Sequence, residues 1–283
     1  MNPTYGYYPG CSLHSTGAEY DISFRAVCKK LNIGLKEIEG WICCGASSAH
    51  SYSKILSTAL PMHSLIAADE MGLSEIVVPC AACFTRLKHA VHDTNHNTEL
   101  EDQLGEIFNR ELPKTIKVLH PLEIFSNEVD VAGAQVKDLS GLNVVCYYGC
   151  LLTRPPKVMQ FDECEYPMSM DLLLRSIGIT TLDWSYKTDC CGGAFSLTET
   201  DVVRKLVHDI FEEAKAVGAN AISVACPLCH ANLDTRQPEV EQEYNTKYNL
   251  PIFYFTQLIG LALGIPAEEL AIQKHFVSAE GMI

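Results

Sequence analysis

The chain has 283 residues, 47% of them apolar, with 35 acidic against 21 basic side chains and a net charge of −14. That length suits one large domain or two ordinary ones, and the apolar share supports a packed core, which argues against disorder. The acidic balance argues against a nucleic-acid binder, which needs a basic face to displace counterions from phosphates, but leaves room for a small basic pocket.

The opening stretch, Met-Asn-Pro-Thr-Tyr-Gly-Tyr-Tyr-Pro-Gly, has neither the basic start nor the apolar run of a secretory signal, and leads into a first strand that Cys11 ends. Tyr20, Phe24, Val27 and Leu31 then recur at helical spacing, and Ile55, Leu56, Ala59, Leu60, His63 and Ile66 predict a second helix that Gly72 closes. The short apolar run Ile76-Val77-Val78 predicts a buried strand. A polar stretch from Asp130 to Ser140 predicts a boundary between a domain of residues 1–138 and another of 139–283. The second unit opens on the apolar strand Leu142–Tyr148, continues with a helix over Leu172–Ile177 stopped by Gly178, and has a longer helix on Val202, Leu206, Ile210 and Ala214 that ends near Gly218. Ala221–Ala225 predicts a further strand. Strands alternating with helices imply an α/β fold with a mostly parallel sheet in each unit. The longest apolar run, Leu258 to Pro266, is interrupted by glycines and falls well short of the ~20 residues of a membrane span. A soluble cytoplasmic protein is expected, in which many cysteines imply metal or redox chemistry before structural disulfides.

Ten of the 13 cysteines form one pattern written twice: Cys11, Cys43-Cys44, Cys80-Ala-Ala-Cys83, then Cys150, Cys190-Cys191, Cys226-Pro-Leu-Cys229. The intervening gaps are 31 and 35 residues in the first copy, 39 and 34 in the second. Neighbouring residues repeat too: Tyr5–Cys11 matches Val145–Cys150, Ile42–Ala46 matches Asp189–Gly193, and Glu75–Cys83 matches Ala221–Cys229, so the chain reads as a duplicated domain. Cys80 and Cys226 end a predicted strand and open a helix, whose N-terminus favours the thiolate that a metal requires. The carboxyl edge of an open parallel sheet is where ligands collect, so distant cysteines can converge there; the adjacent pairs would have to reach it from loops.

Five thiolates are one more than a cubane or a structural zinc site takes, so one bridges two irons or stays free. Adjacent cysteines point their side chains apart, and the following Gly45 and Gly192 let the backbone bend closely. The pattern points to an iron–sulfur cluster of unusual shape. Two four-cysteine zinc sites, each with a spare cysteine, are the blander alternative and would make the chain a zinc-stapled scaffold.

These motifs closely resemble the cysteine-rich CCG domain, and two such domains in a chain of this length resemble the B subunit of heterodisulfide reductase. The second copy departs by one residue between Cys191 and Cys226. The resemblance implies two noncubane [4Fe-4S] clusters, each a fused [3Fe-4S]-[2Fe-2S] unit. One would be held by Cys11, Cys43, Cys44, Cys80 and Cys83, the other by Cys150, Cys190, Cys191, Cys226 and Cys229. It also implies a substrate disulfide such as coenzyme M–coenzyme B, split between the clusters. Reducing a disulfide takes two electrons, and two facing clusters could each pass one and hold one product sulfur, unlike thiol–disulfide exchange through a protein thiolate. A ferredoxin-like iron–sulfur C subunit and a flavin-containing A subunit are the implied partners, since this chain has neither a Cys-x2-Cys-x2-Cys-x3-Cys-Pro run nor a strand followed by Gly-x-Gly-x-x-Gly. CCG domains also occur in iron–sulfur subunits of glycolate, lactate and succinate-type oxidoreductases, so an electron relay without substrate chemistry is the competing reading.

His14, His50 and His230 lie within a few residues of these cysteines and are candidate proton donors or hydrogen-bond donors to sulfur, against the simpler reading of packed or solvated histidines. Arg154 and Lys157 follow Cys150 in a proline-stiffened loop and are candidates to meet an acidic group on a substrate, or are solvated charges. Tyr7, Tyr8, Tyr147 and Tyr148 are expected to pack beside the clusters. Cys28 and Cys146 are expected to be small buried hydrophobes, and Cys164 lies outside both motifs.

Overall fold

The computed structural model describes residues 3–46, 48–127 and 129–283. The first half runs β1 (Thr4–Tyr7), α1 (Gly10–Leu13), α2 (Ala18–Lys30), β2 (Gly34–Glu37), α3 (Ala49–Tyr52), α4 (Lys54–Glu70), β3 (Glu75–Val77), α5 (Ala81–His96), α6 (Thr98–Phe108), β4 (Lys117–Leu119) and α7 (Pro121–Asn127). After a 3-10 turn at Ala132–Ala134 the second half follows: β5 (Asn143–Tyr147), α8 (Pro156–Met159), α9 (Ser169–Ser176), β6 (Thr180–Leu182), α10 (Thr200–Ala216), β7 (Ala221–Val224), α11 (Pro227–Glu243), β8 (Ile252–Tyr254) and α12 (Phe255–Ala262). Each half is an α/β domain with a sheet of four strands, in the orders β2-β1-β3-β4 and β6-β5-β7-β8. Every strand pair in both is parallel. Parallel strands covered by helices on both faces must be apolar throughout, and β7 and β8 are buried at every residue.

In this order the chain leaves β1 toward one edge and β3 toward the other. The carboxyl ends of β1 and β3 therefore flank a crevice, the usual ligand position in such sheets. β5 and β7 repeat the arrangement.

The halves dock reciprocally. Helix α2 packs on α12, and its counterpart α9 packs on α7, the counterpart of α12. Such mutual contact is what a two-fold interface produces, here within one chain. Aromatic rings fill the seam: Phe125 lies 5.8 Å from Phe24 and 6.3 Å from Phe255, centroid to centroid. A buried hydrogen bond of 2.7 Å joins Ser23 Oγ and Thr256 Oγ1 across it, and the Thr85 hydroxyl donates to the Leu151 carbonyl at 2.9 Å. The apolar run from Leu258 forms most of α12, which is wholly buried. No helix among the described residues is long and apolar enough to cross a membrane.

Two sequence expectations shift. The buried stripe of α10 is Val203, Val207, Ile210, Phe211 and Ala214, while Val202 is 50% exposed. The stripe of α4 begins at Thr58 and leaves Ile55 and Leu56 exposed at the start of the helix. In both helices Gly72 and Gly218 follow the last turn with φ of +70° and +84°, as expected of left-handed stops.

One fully buried ion pair shapes the second half. Lys187 Nζ donates to Asp171 Oδ1 at 2.7 Å and to the Pro167 carbonyl at 3.2 Å, and the Tyr148 hydroxyl donates to Asp171 Oδ2 at 2.8 Å. The Lys187 carbonyl accepts from the backbone N–H groups of Tyr148 and Gly149. The pair therefore ties the strand before Cys150 to the loop before Cys190. Asp171→Ala is expected to destabilise the protein by about 3–5 kcal/mol, because it strands a buried ammonium. Asp171→Leu combined with Lys187→Met should recover most of that loss. Urea unfolding of metal-free, reduced protein measures both.

Candidate functional site

Neither first cysteine lies on its strand. Cys11 sits in the single turn of α1 and Cys150 in the turn after β5, just past the strand ends. Gly10 and Gly149 precede them with φ of +67° and +72°, and a Cβ there would come within 3.0 Å of Cys83 Sγ and 2.9 Å of Cys229 Sγ, respectively. The backbone thus passes against sulfur at two matched positions where only glycine fits. Cys80 and Cys226 are the residues immediately before α5 and α11, and Cys83 and Cys229 lie in the first turns. The adjacent pairs ride on loops that follow β2 and β6.

Those loops reach the other cysteines. Cys44 Sγ lies 3.1 Å from Cys83 Sγ, Cys11 Sγ 4.0 Å from Cys43 Sγ, and Cys150 Sγ 3.8 Å from Cys190 Sγ. Cys83 in turn lies next to Cys80, and Cys229 next to both Cys191 and Cys226, each acting on the other's proton affinity. Cys80 and Cys226 face each other across the seam, each acting on the other's proton affinity. Six buried thiols accordingly run in one line, Cys44–Cys83–Cys80–Cys226–Cys229–Cys191, with the pseudo-two-fold at its centre. The pairs Cys11–Cys43 and Cys150–Cys190 flank it nearer the surface, where Cys11, Cys43 and Cys190 are exposed and Cys150 is partly so.

Thiols this close cannot all ionise unaided, and their proton affinities diverge. Hydrogen bonds from Cys226 and Cys83 hold the Cys80 thiol well below its ordinary range. At Cys226 the lowering bond from Cys229 is outweighed by the bond to Cys80 and by burial, and its pKa rises to about 12. Cys44 is lowered by Cys83, the Ala46 N–H and Arg86. The bond to Cys44 raises Cys83, and the bond to Cys191 raises Cys229. The bond to Cys150, helped by the Gly192 N–H, brings Cys190 down to about 6, and the same bond raises Cys150. Burial and Cys43 raise Cys11.

Two tyrosines anchor the cysteine pairs. The Tyr8 hydroxyl donates to the Ile42 carbonyl at 2.7 Å and the Tyr147 hydroxyl to the Asp189 carbonyl at 2.5 Å, each the residue just before a pair. Tyr8 packs on Trp41 and Tyr147 on Trp184. Tyr7 and Tyr148, by contrast, bond to Asp21 and Asp171. Sequence reasoning missed His120, which is fully buried just past β4. Its Nε2 donates to the carbonyl of Pro79, and the carbonyl of Ala225 is also within hydrogen-bonding reach, so one imidazole braces the residues before Cys80 and Cys226. Burial brings its pKa down to about 3. A histidine directly after a short strand was the only sequence signal.

The other candidates are dispersed. His14 is exposed, 3.7 Å from Glu37 and edge-on to Trp41. His50 Nδ1 accepts from Arg86, which also donates to the Ala46 carbonyl. His230 is buried, donates from Nε2 to the Ile252 carbonyl at 3.0 Å, and is held far below its usual pKa by desolvation. Arg154 donates to the backbone and side chain of Thr188 and pairs with Glu165. Lys157 is exposed on α8. Cys28 and Cys146 are buried, and burial raises both thiols; Cys164 is half-buried between Glu163 and Glu165.

The fold and site define a duplicated, all-parallel α/β protein with a five-cysteine set in each half and the two sets joined at the seam. The chain belongs to the cysteine-rich domain family named CCG, whose model matches residues 5–88 and 144–234. It is 29% identical over 283 residues, 99% of each chain, to the 8-methylmenaquinol:fumarate reductase membrane anchor subunit of Wolinella succinogenes. It is 27% identical over 280 residues, 95% of this chain and 92% of the relative, to the B subunit of a CoB-CoM heterodisulfide reductase of Methanosarcina acetivorans. Its fold also matches a hypothetical protein from Helicobacter pylori with a TM-score of 0.80 at 12% identity, covering 99% of this chain and 53% of that one, so this chain spans about half that protein's length.

Among the described residues no three Cys, His, Asp or Glu side chains gather around one point in the manner of a single-ion site. The residues suit a larger sulfur-rich group: soft thiol donors, glycine backbone pressed against sulfur at Gly10 and Gly149, and the Gly192 N–H donating to Cys190 Sγ. In metal-free, reduced protein, Cys190 is expected to alkylate first. Its rate should rise through about pH 6 and level by about pH 7.5, as a thiolate-limited reaction does. Cys11 and Cys150 should label only above the ordinary thiol range, about pH 8.5. Mass-spectrometric mapping of iodoacetamide adducts against pH reads this directly.

Proposed function

We propose that the chain is the iron–sulfur subunit of a heterodisulfide-reductase-like oxidoreductase. Cys11, Cys43, Cys44, Cys80 and Cys83 would hold one noncubane [4Fe-4S] cluster and Cys150, Cys190, Cys191, Cys226 and Cys229 the other, with the domains divided at 138/139. The observation that carries the reading is the continuous line of thiols through Cys80 and Cys226. It supports two sulfur-rich sites lying side by side, as reduction of one small disulfide such as coenzyme M–coenzyme B would require. Bound clusters would supply electrons one at a time to a substrate that needs two. The chain's own groups do the rest. The hydroxyls of Tyr8 and Tyr147 hold the cysteine pairs, His120 holds the backbone under both inner cysteines, and the buried seam excludes water behind them.

Electrons would arrive from a ferredoxin-like C subunit and a flavin-containing A subunit. Exposed apolar residues shortly after the cysteine pairs support a covered face: Tyr52 is 85% exposed, Leu197 94% and Phe195 50%.

A second reading is an electron relay in a succinate- or fumarate-type oxidoreductase. The end-to-end likeness to the Wolinella succinogenes subunit favours it.

Anaerobically purified complex should carry about eight irons per chain, with matching acid-labile sulfide, if each half holds a four-iron cluster. About two zinc ions and no sulfide would mark the scaffold reading instead. With iron in place, reduced complex given a small disulfide should release two thiols per disulfide consumed. Cys80→Ser and Cys226→Ser should each abolish that release. Intact clusters that pass electrons to a quinone or protein acceptor but release no thiol would select the relay.

A further inference from the structure

Two tyrosine hydroxyls lie at the seam without a hydrogen-bond partner among the described residues. Tyr20, on α2, and Tyr254, the last residue of β8, are both fully buried. Neither hydroxyl has a hydrogen-bond partner among the described residues. The tyrosines around them are different: Tyr7, Tyr8, Tyr147 and Tyr148 all donate to protein oxygens.

The two rings belong to opposite halves and stack with centroids 4.5 Å apart and planes 17° from parallel. His230 covers the other face of Tyr254 at 4.2 Å and 9°, so the phenol is clamped and its hydroxyl has a fixed aim. A Cβ built on Gly17 would stand 3.5 Å from Tyr254 Oη and 2.7 Å from the Cβ of Pro227, the residue after Cys226. The hydroxyl therefore lies beside the first turn of α11. Besides burial, the charges of Cys226 and Cys80 act on both phenols, and the Glu19 carboxylate acts on Tyr254 more strongly than either.

Phenylalanine would fill the same volume with the same stacking. A buried O–H with no protein acceptor is unfavourable unless something else receives it. Neither phenol bonds to the Glu19 carboxylate or to any other oxygen among the described residues, so sulfur carrying negative charge is the acceptor chemistry that remains at this corner.

We propose that Tyr20 and Tyr254 are positioning residues that donate hydrogen bonds to the sulfur, cysteinate or sulfide, of the paired clusters at the Cys80–Cys226 edge. This rests on the cluster reading above. A hydrogen bond to sulfur stabilises an added electron, so the pair raises the reduction potential where the two halves meet.

The test uses the anaerobic complex with Tyr20→Phe, Tyr254→Phe and both together, each assayed first for iron and acid-labile sulfide. Full iron is expected in all, with the midpoint potential from an EPR-monitored titration lowered in each single variant and lowered further in the double. An exchangeable-proton coupling, seen by pulsed EPR as a difference between H2O and D2O samples, should be present in the parent and lost in the double variant. The metal-free variants should unfold at no lower urea concentration than the parent, because no protein hydrogen bond is removed. Full iron with unmoved potentials and an unchanged proton coupling overturns the inference and leaves the clusters standing. A parent complex without iron overturns the cluster reading, and this inference with it.

Discussion

The contact between Cys80 and Cys226 is the constraint on which the site depends. Each is fully buried, each heads a helix, and each ends a line of sulfurs from its own half. Two adjacent thiolates repel strongly in a poorly polarisable interior. The metal-free chain can keep them together only by sharing protons, which is why Cys44 and Cys80 are lowered in proton affinity while Cys83, Cys226 and Cys229 are raised. A positively charged inorganic core would remove that conflict at all ten positions, whereas a disulfide would remove it at two.

The fold holds that contact from behind. Reciprocal packing of α2 on α12 and of α9 on α7 presses the two sheets together with their crevices facing the same seam. The aromatic centre of Phe24, Phe125 and Phe255 prevents the halves from sliding. His120 spans the carbonyls on either side. Between each first strand and its cysteine the chain needs a left-handed glycine, because a side chain there would occupy the place of sulfur.

The cysteine order and the glycines after the pairs were legible in the sequence, because a duplicated spacing is a long-range signal that survives without any alignment. The main helices and the strands at Ile76 and Ala221 were also legible from periodicity. β2, with the sequence Gly-Leu-Lys-Glu, was not: it is a four-residue edge strand whose pattern is no different from a loop. The stripe of α10 slipped by one residue because Val202 and Val203 offer two equally good starts, and only packing against the sheet chooses between them. Tyr20 and Tyr254 meet across 234 positions of sequence, and Cys80 and Cys226 across 146. No local pattern announces either contact; both follow from how two copies of a domain close on each other.

The copies have also drifted apart. One turn beyond the last cysteine of each set, α5 carries Arg86 and α11 carries Asn232, a cation against a neutral amide. Arg86 lowers the proton affinity of Cys44, while Asn232 donates to the Cys191 carbonyl. The duplication that built two matched halves has left them unequal: a guanidinium faces the buried cysteines of the amino-terminal set, where a neutral amide instead ties down the loop of the other.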